Sequence, residues 1–283
     1  MTDASLPAGR FVEGHFRVGH VLARARSVFL RNFLKFTIVT AVANLPGVLL
    51  QQVVIPSGPA QYVPYAFLGF LLSVLLYLLS QAVLLSAAFQ AMNGKPAGLV
   101  ESIRVGLRRL LPVLGLAITA VLALLAYLVG VIAALAGLGN SGLSPGWIAL
   151  GVLVSVIPGV ALYLMWSVAV PVCVVEQLGP LRSLGRSRAL TKGCRMKIFG
   201  LTLLVLLPTA VISGLMTAAL ISLGSGAALG LSAPAARVLG RIIVLSWNAI
   251  WIAFYAVLGV VTYHDLRVAK EGIGTDQIVA VFE

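Results

Sequence analysis

Charge is what this chain has least of. Asp, Glu, Lys and Arg together make up 10% of its 283 residues, where soluble domains carry roughly a quarter. That scarcity excludes an ordinary water-facing globular surface. No polar stretch is long enough to fold as a second domain. Only eight residues are acidic, and none lies near the middle of an apolar run. Paired carboxylates for acid–base work or for a divalent metal therefore have no basis. Asp265 and Glu271 are the closest acidic pair with helical connectivity, and both read as solvated. Histidine is equally sparse: His15, His20 and His264 all fall near the termini, so none is placed as a mid-membrane haem or metal ligand. No Ser-His-Asp ordering and no phosphate-cradling glycine loop is present. The two cysteines, Cys173 and Cys194, have no nearby histidines with which to form a zinc site. They read as small buried hydrophobes. Neither enzymatic activity nor a cofactor is expected.

What the chain has is apolar length. Hydrophobic residues make up 60% of it, and the mean hydropathy is +1.06. Six segments, near 36–55, 64–91, 111–138, 147–175, 197–223 and 238–263, are each long enough for a hydrocarbon core that needs ~20 helical residues. Pro46, Pro158, Pro171 and Pro208 lie inside them and are expected to kink them. The 147–175 segment is long enough to tilt or to extend past the interface. Residues 1–17 read as a loose terminus, without the cleavage pattern of a signal peptide, so the first span would act as an uncleaved anchor. Polar groups inside the spans, among them Gln81, Ser213 and Asn248, are uncharged and suit helix–helix hydrogen bonds. Trp166, Trp247 and Trp251 read as packing groups or cavity walls.

The few charges are placed unevenly. Residues 18–36 form an amphipathic helix, with Val18, Val21, Leu22, Ala25, Phe29, Phe33 and Phe36 on one face. His20, Arg24, Ser27, Arg31 and Lys35 lie on the other. Such a helix either lies in the membrane interface or packs on the protein's own surface. A second amphipathic helix carries Leu99, Ile103, Leu107 and Leu110 against Glu101, Arg104 and Arg108. Of the twenty Lys and Arg residues, eighteen lie at the N-terminus, in the 93–110 and 176–197 stretches, or at the C-terminus. Arg237 and Arg241 are the exceptions. The positive-inside rule puts both termini and both basic loops in the cytoplasm. On that reducing side a structural disulfide is not expected. The net charge of +12 is then a belt facing anionic headgroups and does not imply nucleic acid.

The stretch from Glu176 to Lys197 carries most of the punctuation. Gly179 and Pro180 break the chain, and proline suits the first turn of a new helix. Arg182, Arg186, Arg188 and Lys192 follow on a short basic helix. Gly193 suits a left-handed cap at its end. Glu176, Gly179-Pro180, Leu184, Arg186-Ser187, Leu190-Thr191 and Gly193 resemble a motif of a bacterial family, the membrane-domain family named after glycerophosphoryl diester phosphodiesterases. Tyr263-His264-Asp265-Leu266-Arg267, followed by Lys270-Glu271-Gly272, is similar to that family's ending. The resemblance implies a bacterial inner-membrane protein. It implies no catalysis, because the soluble phosphodiesterase barrel found in some members has no counterpart here. Glu176 reads as a carboxylate that fixes the start of the basic helix by pairing with arginine, the alternative being a gate or substrate contact. Asp265 and Arg267 read as similar structural pairs at the end of the sixth span.

A basic helix followed by a transmembrane hairpin occurs three times, starting near Val18, Pro96 and Pro180. Arg24-Ala25-Arg26 and Lys35 align without gaps on Arg186-Ser187-Arg188 and Lys197. The expected architecture is thus all-α: six transmembrane helices and three cytoplasmic interfacial helices, in three parallel repeats spanning about 18–92, 96–176 and 180–267. A tail covers 268–283. The expected function is that of a scaffold or accessory subunit. It would engage anionic lipid or a membrane-protein partner through Arg24, Arg31, Lys35, Arg104, Arg108, Arg182, Arg186, Arg188 and Lys192. The alternative is a lipid-handling carrier with a cavity between the hairpins.

Overall fold

A computed structural model describes residues 16–54, 63–92, 98–140, 144–222 and 232–271. Among them the regular structure is entirely helical: α1 (Val18–Arg31), α2 (Phe33–Val54), α3 (Val63–Met92), α4 (Leu99–Asn140), α5 (Pro145–Trp166), α6 (Ala169–Val175), α7 (Pro180–Thr191), α8 (Arg195–Ser222) and α9 (Ala233–Glu271). Five helices are long and apolar enough to cross a membrane, or six when α1 and the start of α2 count as one broken span. This is the make-up of a polytopic membrane protein. Residues 1–15, most of the 268–283 tail and parts of the charge-poor loops lie outside the described residues.

The local breaks fall where backbone chemistry demands them, which is not always where the hydropathy pattern suggests. α1 and α2 meet at 81° around Asn32, four residues before the expected boundary. Asn32 turns its side-chain amide back to the Val28 carbonyl, 3.3 Å away, an alternative to continuing the helix that asparagine offers readily. The expected fourth span is two helices. Proline lacks an N–H and its ring clashes with the carbonyl four residues earlier. α5 ends at Trp166 and the chain restarts at Ala169, a break that Pro171 favours by leaving the Ser167 carbonyl without a helical donor. The second interfacial helix corrects the expectation more strongly, since it is not a separate element. Its residues are the first turns of α4, which runs unbroken through Pro112 for 42 residues, about 63 Å. α9 likewise continues past the expected boundary at 267 to Glu271. At the other end Phe16 is 4% exposed, so the buried structure begins before residue 18.

Packing is concentrated at the basic end. α3, α6 and α9 pack on one another through buried Ala82, Ala88, Val172, Cys173, Ala253 and Val257. Each helix that opens a basic stretch lies against one of these three: α1 against α9, α4 against α3 and α7 against α6. These openers begin at Val18, Leu99 and Pro180, 81 residues apart at both steps. Their buried residues keep the same register. Val21, Ser102 and Ser183 are fully covered, as are Ala25 and Ser187, with Gly106 buried at the matching place in α4. The small residue at that second position lets two backbones approach closely.

Toward the charge-poor end the helices separate. Val152, Leu153, Val154, Val156 and Ile157 of α5 are all exposed, as are Leu206, Leu207, Val211 and Ile212 of α8. Neighbouring positions on a helix point in different directions, so these helices are apolar and uncovered on most sides, as suits contact with lipid.

Candidate functional site

The basic end is organised by the last turns of α9. Tyr263, Arg267 and Glu271 recur every four residues, which sets them on one face. That face meets the elbow between α6 and α7. Glu176 caps α6, and its carboxylate accepts from Arg186 Nε at 3.0 and 3.3 Å and from the Tyr263 hydroxyl at 2.9 Å. The other edge of the Arg186 guanidinium is bonded to Glu271. Glu271 also accepts from Arg267 at 3.1 Å, and Arg267 reaches back to the Tyr263 oxygen at 3.4 Å. Two arginines, two carboxylates and one phenol thus form a closed ring of zero net charge. Burial works against the charge on Arg186, but hydrogen bonds and charge from Glu176 and Glu271 outweigh it and hold its pKa above the usual value.

A second cluster faces α1. Asp265 receives Arg24 at 3.2 Å and His20 at 3.2 Å, with His264 Nδ1 at 3.5 Å. Arg24 also contacts the His264 ring nitrogen at 3.3 Å. Adjacent faces of one helix end therefore grip two basic helices that are far apart in sequence, and this places them at one surface.

α7 is held at both ends by left-handed residues, Gln177 at φ 58° and Gly193 at φ 85°. Its buried face is hydroxylic. Ser183 donates to the Gly179 carbonyl at 2.9 Å, and Ser187 donates to the Met165 carbonyl at 2.8 Å. The latter bond satisfies a carbonyl at the α5–α6 break, a group that is costly to leave unpaired away from water. Ser187 stands in the family-like motif and in the repeat alignment without a role of its own, and Ser183 was not singled out. Their spacing of four on a short helix between two breaks was the available signal.

The nine basic residues proposed for lipid or partner contact divide into two sets. Arg24 and Arg186 are built into ion pairs. Arg31, Lys35, Arg104, Arg108, Arg182, Arg188 and Lys192 are exposed. Arg267 and Asp265 sit in the ring and in the α1 cluster respectively. Of the three arginines near Glu176 in sequence, the structure pairs Arg186 with it. Cys173 is buried and Cys194 half-buried, both as free thiols. No group of three or more His, Cys, Asp or Glu side chains could hold a metal ion among the described residues. A cavity of about 440 Å³ lies between α4 and α5, lined by apolar and small residues including Gly130, Ala134, Gly151 and Pro158. It sits within one hairpin. No family model, no curated protein and no solved structure matches the chain.

Proposed function

We propose that the protein is a non-catalytic scaffold or accessory subunit of the bacterial inner membrane, holding anionic headgroups or an acidic partner on its basic end. The observation that carries this reading is the division of the cations. The fold uses Arg24, Arg186 and Arg267 internally and leaves Arg26, Arg31, Lys35, Arg104, Arg108, Arg182, Arg188 and Lys192 exposed on α1, α2, α4 and the α7 segment at the same end. Arginine can engage phosphate bidentately, and each cation near an anionic surface contributes about 1 kcal/mol of attraction. The packed centre of α3, α6 and α9 favours this reading over a carrier with a cavity between the hairpins.

The three-repeat architecture belongs to the same proposal. Its support is the constant 81-residue register of the three opening helices and of their buried small residues. The third unit departs from the first in its hydroxylic face, and the second in running straight into its span. The family resemblance remains a proposal too. It gains support because its two stretches, around Glu176–Gly193 and Tyr263–Glu271, meet in the ion-pair ring.

In native mass spectrometry, cardiolipin and phosphatidylglycerol should stay bound at collision energies that strip phosphatidylcholine. The difference should shrink with salt, because exposed charges are screened beyond ~8–10 Å. Replacing Arg182, Arg188 and Lys192 by glutamine should reduce retention while sparing Arg186, which the fold needs. Equal retention of neutral and anionic lipid would reduce the basic surface to a topology signal.

Both termini are proposed to be cytoplasmic, from the charge asymmetry. In a background with Cys173 and Cys194 replaced, Ser144→Cys should react with an impermeant maleimide added to intact spheroplasts. Ala189→Cys should react only after lysis. Both positions are exposed, so a reversed pattern would invert the topology.

A further inference from the structure

α4 opens differently from α1. In α1 the apolar face is the buried one, through Val21, Ala25 and Phe29. α4 turns a small face to the core instead. Ser102 and Gly106 are buried, with Val83 and Leu79 of α3 beside Gly106. The apolar side chains of its first turns are left outside: Val100 is 77% exposed, Ile103 44%, Leu107 56% and Leu111 77%. They follow one another at three, four and four residues, which sets them in one stripe along the helix. Arg104 and Arg108 border the stripe. Both are exposed, and neither pairs with a carboxylate among the described residues. Glu101, also exposed, lies one step further round the helix.

Lipid does not account for this stripe. α1 is bent by 81° from the start of α2 and can lie along a membrane surface, whereas α4 has no break over its 42 residues. At the average tilt of ~20°, a helix of that length spans about 59 Å. That is roughly 15 Å more than a bilayer with its headgroups. The excess belongs to the basic end. Residues 110–140 of α4 carry no charge, and by themselves they run about 46 Å. Val100, Ile103 and Leu107 thus stand beyond the headgroups, and Leu111 stands at their edge.

Contiguous apolar surface in water marks a docking face, and the bordering charge selects what docks. A second copy would add an Arg104 and an Arg108 of its own to the same seam, where only Glu101 could offset them. A carboxylate-bearing partner gains from the same charges. The spacing of the stripe is the anchor pattern of one helix laid along another. We infer that the first three turns of α4 dock an acidic amphipathic helix of a partner protein. Its apolar face covers Val100, Ile103 and Leu107, and its carboxylates lie toward Arg104 and Arg108. Resting on the reading of the basic end as a binding surface, this site gives one part of it a partner and leaves the α7 cations to anionic headgroups.

The test uses the full chain at one copy per phosphatidylcholine nanodisc, with Cys173 and Cys194 replaced and an NBD fluorophore on Val100→Cys. The probes are two synthetic peptides of three leucine heptads, one flanked by glutamate and one by lysine. Without peptide, the NBD emission should be that of a water-exposed dye. The glutamate peptide should shift it to the blue saturably, and the lysine peptide should not. Ile103→Ser with Leu107→Ser should weaken the glutamate peptide about tenfold or more, as expected for two lost apolar anchors. Arg104→Gln with Arg108→Gln should weaken it several-fold and flatten its dependence on salt. All four side chains are exposed, so neither double change should move the Tm. A dye that is blue-shifted and quenched by spin-labelled phosphatidylcholine before peptide is added overturns the site in favour of lipid. A shift seen only in discs holding two copies overturns it in favour of self-association. No response to the glutamate peptide, or equal affinity in the Ile103→Ser, Leu107→Ser protein, also refutes it. The discs are neutral, so failure of the anionic-lipid reading shows only in the mass-spectrometric experiment, and failure of the helix site only in this one.

Discussion

Replacing Arg186 by methionine is expected to lower stability more than any other single change in the ion-pair ring. Arg186 is the one residue that bonds both carboxylates, Glu176 through Nε and Glu271 through the far edge of the guanidinium. Without it Glu176 keeps only the Tyr263 hydroxyl, and two carboxylates face each other with side chains 14% and 23% exposed. Removing one partner of a buried pair typically costs about 3–5 kcal/mol. Arg186 itself is 31% exposed, so water screens part of that, leaving about 2–4 kcal/mol. Lysine at this position should recover only part of the loss, because a single ammonium cannot span two carboxylates as a planar fork does. Glu176→Gln should be milder, since the amide still offers Tyr263 an acceptor and Arg186 keeps Glu271. Thermal unfolding in detergent should therefore rank the variants, from least to most stable, as Arg186→Met, Arg186→Lys, Glu176→Gln. A Glu176→Gln protein that melts below Arg186→Met would show that the ring is not centred on the arginine.

The second large effect is expected at Gly106, where α4 crosses α3. A Cβ placed there would stand 2.6 Å from Val83 Cγ2 and 3.3 Å from the Val83 backbone nitrogen. Valine is stiff at χ1, and a backbone nitrogen can move only if its helix moves. Alanine should thus cost about 1–2 kcal/mol and leucine about 3 kcal/mol or more, as overpacking of a tight contact does. Gly185 is the control. It lies in α7 with nothing within 4 Å of an added Cβ, so alanine there should be neutral or stabilising by up to about 1 kcal/mol through helix propensity. If Gly106→Leu melts like the wild type, α3 and α4 do not approach as closely as described.

The difference between Gly106 and Gly185 also marks the boundary of what can be read from residues alone. Both glycines sit in basic helices, and nothing local distinguishes them. The helices themselves are locally determined. Apolar runs of spanning length, Gly179-Pro180 before α7 and Gly193 after it all act through the chain's own backbone and its solvent, and each appears close to where those properties place it. The α5–α6 break is only partly local: Pro171 frees the carbonyl four residues earlier, yet Pro46, Pro112, Pro158 and Pro208 lie inside unbroken helices. The hydropathy pattern placed it inside a single span because hydropathy does not register a missing N–H.

Partner choice is not local. Arg182 stands nearer to Glu176 along the chain than Arg186 or Arg188 does. Arg186 alone among them pairs with it, because α7 turns its Ser183 and Ser187 face inward and leaves Arg182 and Arg188 outside. Tyr263 and Glu271, which complete the ring, come from a helix about ninety residues downstream. The sequence by itself determined that the chain is a set of apolar helices with its cations gathered near one set of ends. Only the tertiary structure decided which cations are consumed in holding α9 to α1 and α7, and which stay exposed. Hydropathy and proline act over a few residues, whereas an ion pair forms only where packing brings two helix faces within about 3 Å.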